Sequence, residues 1–413
     1  MNIYLVIILL ILIGECILSF VVESLNVKHA RSQLPEEFSD TFDAERYKRS
    51  QEYLRENTHF ELKKEIFLTV IIVAFILIGG FNFVDQIARS SHHTPIVRGL
   101  IFAGILMFSS QILSIPFSAY RTFVIEEKYG FNKTTPKTFI ADLFKRWLLT
   151  ALIGGIMLAA VIWFFGTMGN YAWLYCWVAI TIFELFLVFI APVLILPLFN
   201  KFIPLEEGEL KNTIENYAKS QRFALKGVFT MDASRRSTKS NAFFTGFGKY
   251  RRIALFDTLI QKHTVDELVS VLAHEIGHYK KKHILKDLVL SVAIMGLMFF
   301  ILSFFINNEG LFGAFKMEEL SVYASLVFFG FLYSPIHFVF SVVQSIISRK
   351  HEYEADVFAV TTYKNPHAFI AALKRLTADN LSNLTPHPLK VFLYYSHPPV
   401  LQRIQAIRAM HLE

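Results

Sequence analysis

The chain is poor in cysteine, proline and charge, and each shortage removes a class of protein. Only two cysteines, Cys16 and Cys176, occur in 413 residues, both inside long apolar runs. That leaves no disulfide framework and no thiolate metal site, so packing is their expected role. Thirteen prolines, with no internal repeat or low-complexity tract, leave no linker between separate domains. Charged residues make up 18 %, against about 25 % in a typical soluble protein. The basic residues are not gathered on one recognition element with interleaved aromatics, so no nucleic-acid partner is expected.

What the chain has instead is apolar runs. The composition is 54 % hydrophobic, and seven stretches are long enough to cross a bilayer: 3–22, 66–84, 100–120, 148–165, 172–199, 285–306 and 320–347. No Lys or Arg precedes the first and no small-residue cleavage site follows it, so it reads as a retained helix. Basic residues then set the orientation. Segments after spans one, three and five and the C-terminal tail carry 8, 6, 15 and 8 Lys+Arg, against 2, none and 1 on the other side. The positive-inside rule places the rich segments in the cytoplasm, and the net charge of +7 is mostly this signal. Four blocks follow: 1–199 with five spans, 200–284 as a cytoplasmic catalytic block, 285–347 with spans six and seven, and 348–413 as a second cytoplasmic block. Glu15, Gln111, Glu184 and Gln344 fall inside spans. They either face a water-filled chamber or hydrogen-bond between helices.

The chemistry is concentrated at 274–278, His-Glu-Ile-Gly-His. Two histidines four apart share a helix face and can reach one metal ion, and Glu275 can take a proton from its bound water. Zinc held in this way, one ion per chain, lowers the pKa of that water to about 7. Thr264 to Glu267 form a capping box that starts the helix, which is expected to run unbroken into the sixth span. An unbroken helix carries His283 off the metal face, so His283 is not expected as a ligand. The third ligand is sought in 348–356, a helical extension of the seventh span. There Glu352 and Asp356 share a face; one can bind zinc while the other accepts the N–H of a bound histidine. Upstream, 205–222 reads as an amphipathic helix, and 227–231, 240–245 and 252–256 as strands. Gly246, Gly248 and Lys249 turn the last two into a hairpin.

These motifs resemble type I CAAX prenyl proteases, integral-membrane zinc metalloendopeptidases. Matching stretches run along the chain: YKRSQEY at 47–53, EEKYGFN at 126–132, PLFNKF at 197–202, SNAFF at 240–244, LFDTL at 255–259 and SHPP at 396–399. The resemblance implies an all-α polytopic membrane protein, about seven transmembrane helices around an intramembrane chamber. A cytoplasmic zincin-like catalytic domain would contain a small β-sheet. It implies His274, His278 and Glu352 as zinc ligands, Glu275 as general base and Asp356 as the partner of a ligand. His397 would donate to the oxyanion, with Arg403 in support. Asn241, Ala242 and Phe243 would lie on the strand edge that pairs with substrate backbone. By residue type alone, His397 reads as a turn residue before Pro398-Pro399 and Asn241 as a hairpin asparagine.

The implied partners are membrane lipid and a peptide or protein substrate, prenylated or not. The activity would be CAAX-type C-terminal processing or membrane-protein quality control. The membrane would be the inner membrane of a prokaryote or the endoplasmic reticulum of a eukaryote. A site-2-type protease is disfavoured because the motif adjoins Lys280-Lys281-Lys282 and no Leu-Asp-Gly occurs. A catalytically silent membrane scaffold or lipid transporter with a structural zinc is the alternative of another class. The intact Glu275 argues against it.

Overall fold

The structure, a computed structural model, describes residues 2–30, 33–245 and 252–410. Among the described residues, six helices are long and apolar enough to cross a bilayer: Ile3–His29, Pro95–Glu126, Pro136–Thr167, Gly169–Phe199, His283–Ser303 and Val322–Tyr363. One more span, second in chain order, is bent. Ala44–Leu77 and Gly80–Ser90 meet at 66°, so the run expected at 66–84 straddles a corner. Gly79 takes φ +78 there, a left-handed conformation that side chains resist. Lys316 Nζ donates to the Leu77 carbonyl that the corner frees, at 2.5 Å.

Neighbouring spans pack in sequence and the seventh returns to the first. This order of contacts closes the spans into a ring, with the seventh also packing on the third and fourth, and only 6–17 % of each apolar window is buried, so the packing is loose. Two of the intramembrane carboxylates bridge helices. Ser334 donates to Glu15 at 2.6 Å and Ser291 to Glu184 at 3.2 Å.

Beyond one end of the ring lies a dense block. Its core contains Ile214, Val228, Leu255, Leu272, Phe369 and Ile404, together with Phe38, Phe42 and Tyr47 from between the first two spans. A four-stranded sheet forms one layer: β1 Phe202–Pro204, β2 Gly227–Met231, β3 Ala242–Thr245 and β4 Arg252–Phe256, in the order β1-β2-β4-β3. β2 and β4 run parallel and the other pairs antiparallel, so β3 is an edge strand with β4 as its one neighbour. β1 has no counterpart among the strands expected from sequence. The amphipathic helix is Glu209–Ser220, shorter than expected, because Leu205 still donates to Val228 O as an extension of the sheet. The turn assigned to Gly246, Gly248 and Lys249 lies outside the described residues.

Candidate metal centre and active site

Two helices build the site. The motif helix, Val265–Lys280, starts on the expected capping box: Thr264 Oγ1 accepts from Glu267 N and Glu267 Oε2 from Thr264 N. The seventh-span helix, Val322–Tyr363, has 42 residues. At 1.5 Å per residue it is about 63 Å long, twice a bilayer's hydrocarbon core of about 30 Å. Its last turns therefore project beyond the membrane and cross the motif helix at Gly277. A Cβ there would stand 3.1 Å from Ala355 Cα and 3.2 Å from Ala355 O. The glycine between the two motif histidines lets the backbones approach, and that approach delivers Glu352 to both rings.

His274, His278 and Glu352 offer ligand atoms that all lie within 4.8 Å of one another. The Nε2 atoms of the two histidines are 3.1 Å apart, and Glu352 stands 3.4 Å from His274 Nε2 and 3.3 Å from His278 Nε2. Glu352 is 3 % exposed, and its Oε2 is buried without a hydrogen bond, although Arg403 lies 3.3 Å from it. A buried carboxylate with Oε2 beside His274 Nε2 and Oε1 beside His278 Nε2 is a donor set that fits a divalent cation. Asp356 accepts from His274 Nδ1 at 2.8 Å, leaving Nε2 free to ligate. Arg403 holds Asp356 with a fork of 2.8 and 2.5 Å.

Electrostatics follow the burial. Burial lowers the pKa of His274, but hydrogen bonds to Asp356 and Glu352 prevail and raise it to about 9. Burial raises that of Glu275, against the pull of His274 and His278. His397 opens onto the same cavity with its side chain 65 % exposed, yet the loss of bulk water lowers its pKa. Its Nε2 stands 3.3 Å from Glu352, and Ser396 Oγ is 2.9 Å from its Nδ1. A neutral His397 that accepts from Ser396 carries its remaining proton on Nε2.

A cavity of about 410 Å³ gathers these groups. Glu275, His278 and His397 line it, with Asn241 and Ala242 on one wall and Val271, Ile284 and Phe369 among its apolar residues. Asn241 stands just before β3; its Oδ1 accepts from Ala242 N at 2.8 Å, and its carbonyl accepts from Phe256 N. The register Phe243↔Ala254 places Phe243 opposite a hydrogen-bonded partner, two positions on from the Asn241–Phe256 pair. The Phe243 N–H therefore points at β4. The open edge belongs to the backbone of Ala242 and Phe244.

As with Phe243, whose expected place on the open edge is overturned by the register, the expectation for the motif helix fails. The motif helix does not run into the sixth span: it ends at Lys280, Lys282 adopts φ 60, and a new helix begins at His283. The break turns His283 back toward the site, where its Nδ1 lies 3.1 Å from His278 Nδ1. It stands outside the three-residue ligand group but touches a member of it. Neither glycine nor proline marks the break. The available signal was the lysine triplet, whose charges disfavour continuing an apolar span.

Comparison with known proteins agrees with this architecture. Residues 23–201 match the model of the CAAX prenyl protease N-terminal region, five membrane helices, and residues 204–411 match that of Peptidase family M48. A CAAX prenyl protease 1 homolog of Oryza sativa subsp. japonica is 36 % identical over 91 % of this chain and 90 % of its own length. CAAX prenyl protease 1 of Saccharomyces cerevisiae is 33 % identical over 92 % and 89 %. The crystal structure of S. mikatae Ste24p superposes with a TM-score of 0.93 at 31 % identity, covering 98 % of this chain and 99 % of that one. The buried His-Glu-x-x-His helix, the ring of spans beneath it and these matches over nearly the whole length agree: the chain belongs to Peptidase family M48 and is an integral-membrane metalloendopeptidase of the CAAX prenyl protease family.

Proposed function

We propose that the metal is a single zinc ion held by His274, His278 and Glu352, and that the enzyme cleaves the C-terminal peptide of prenylated CAAX-type proteins on the cytoplasmic side of its membrane. Bound there, zinc would act as a Lewis acid that makes water nucleophilic near neutral pH. The chain's own groups supply the rest. Glu275, its basicity raised by burial, takes the proton as water attacks the scissile carbonyl and passes it to the leaving amine. His397 Nε2–H donates to the oxyanion that forms, in a cavity where few waters compete. Asp356, clamped by Arg403, keeps His274 in one tautomer. An extended substrate adds to the open edge of β3, exchanging hydrogen bonds with Ala242 and Phe244 while Asn241 gives up Ala242 N.

The observation that carries this reading is the convergence of two imidazoles and the buried Glu352 carboxylate on one cavity, with the Glu275 carboxylate and a strand edge beside them. The substrate class rests on the names of relatives that this chain covers over 89–90 % of their length. The orientation rests on 37 basic residues in four segments against 3 in the opposite loops.

Glu275→Gln is the test of mechanism. Hydrolysis should fall by about 10²–10⁴-fold while zinc content stays at one per chain, and turnover within a few-fold of the parent would remove Glu275 from the reaction. Paired peptides with and without a prenyl group test the substrate class, with faster cleavage of the prenylated one expected. Labelling a cysteine placed at exposed Ser234 tests the side. Reaction only from outside would reverse the topology.

A further inference from the structure

We infer that His283 and Glu354 are positioning residues for His278, joined as a proton-ordered relay His278 → His283 → Glu354 that holds the ring in its ligating tautomer. This rests on the metal site proposed above and concerns groups outside its ligand set.

The geometry begins at the helix break. Residues five apart on a continuous helix point about 140° away from each other, so His278 and His283 could not touch without the left-handed Lys282. With it, their Nδ1 atoms are 3.1 Å apart, and His283 Nε2 is 3.1 Å from Glu354 Oε2. His278 presents Nε2 to His274 and Glu352. A neutral imidazole has one N–H, so a ligating Nε2 puts the proton on Nδ1. That proton can go to His283 Nδ1 only if His283 carries its own proton on Nε2, and the carboxylate of Glu354 waits there to accept it. Each assignment fixes the next, and no nitrogen of the two rings is left without a partner.

The ring of His283 is also clamped. It is 1 % exposed and stacks on His351 at 3.9 Å and 10°. The two ligand histidines are thus supported in parallel from one helix. Asp356 reaches His274 Nδ1 directly, and Glu354, two residues earlier, reaches His278 Nδ1 through His283.

The test uses the full-length protein in lipid nanodiscs, loaded with zinc and titrated with a chelating dye. A parent that retains no zinc would overturn the metal site and the relay together. Given a parent that retains zinc, His283→Leu should weaken affinity by about 10–100-fold, as loss of a ligand's hydrogen-bond partner does elsewhere. His283→Asn, whose side-chain oxygen can accept from His278 Nδ1, should recover most of it, and Glu354→Leu should give a smaller loss. The cobalt-substituted protein should show a shifted visible spectrum in His283→Leu and a restored one in His283→Asn. Parent-like affinity in either His283→Leu or Glu354→Leu would overturn the relay. Equal losses in His283→Leu and His283→Asn would also overturn it, since packing rather than proton order would then hold the ring. If His283→Leu does not fold, the other two variants decide: weakened zinc binding in Glu354→Leu with near-parent binding in His283→Asn is expected, and parent-like binding in Glu354→Leu overturns the relay.

Discussion

The membrane ring and the catalytic block are built to different tolerances. In the ring, 6–17 % of each apolar window is buried, and several glycines face open space. In the block, Leu272, Ala273, Ile276 and Ala355 are all within 1 % of full burial, and a Cβ on the motif glycine would meet backbone within 3.2 Å. A span needs only its own hydrogen bonds and an apolar coat to exist in lipid. A metal site needs several side chains fixed to within fractions of an ångström, and close packing is how a protein does that. The same residue type should therefore behave differently in the two regions.

The largest effect should come from the proposed ligand that joins the two helices. Glu352→Ala should lower zinc affinity by more than the roughly 10–100-fold expected for outer partners such as Asp356, with activity lost at ordinary metal levels. Metal analysis after gel filtration checks it, and full occupancy would mean the third ligand is another group. Next comes the crossing itself. Gly277→Ala puts a methyl 3.1 Å from Ala355 Cα, backbone that cannot rotate away. A cost of about 1–3 kcal/mol is expected from overpacking, with a fall in turnover as Glu352 shifts; thermal unfolding and kinetics at saturating zinc read both.

A milder effect should come from pH. In the metal-free site His274 holds a proton up to about pH 9, and zinc must displace it. Lowering the pH favours the proton, so apparent zinc affinity should fall by about tenfold per unit below 9 and level off above it. Chelator competition from pH 7 to 10 would show the slope, and a flat profile would break the link between the Asp356 contact and metal binding. The smallest effect belongs to the ring. A Cβ at Gly104 meets nothing within 4 Å, so Gly104→Ala should leave turnover unchanged and stabilise its helix by up to about 1 kcal/mol. A loss as large as that of Gly277→Ala would erase the contrast between the regions.

What is legible in the sequence follows the same division. The spans are readable because hydropathy over 20 residues is a local sum, and the motif helix because its cap and periodicity are local too. The long helix that carries Glu352 beyond the bilayer is legible for the same reason. Three things are not. The break at Lys282 is an exposed lysine in the left-handed conformation, a cost that no breaker residue announces. The parallel pairing of β2 with β4 joins segments whose order in space depends on the whole block. The side of β3 that Phe243 serves depends on register, and a shift of one residue would exchange the paired and open edges. The geometry that excludes His283 from the metal face is sound for an unbroken helix, and the chain does not form one there.

The seventh-span helix has one more consequence, a mechanical one. Glu352, Glu354 and Asp356 sit on a single rod that begins at Val322, whereas the two histidines hang from a helix that stops before the sixth span. A rod of about 63 Å pivoting at its middle moves each end by about 1 Å for every 2° of tilt, and a misplacement of that size can cost about 100-fold in rate. Helices change tilt to match the thickness of the bilayer around them. The lipid is thus a lever arm's length from the chemistry, and turnover in bilayers of graded acyl length would gauge how stiffly Gly277 and Ala355 resist it.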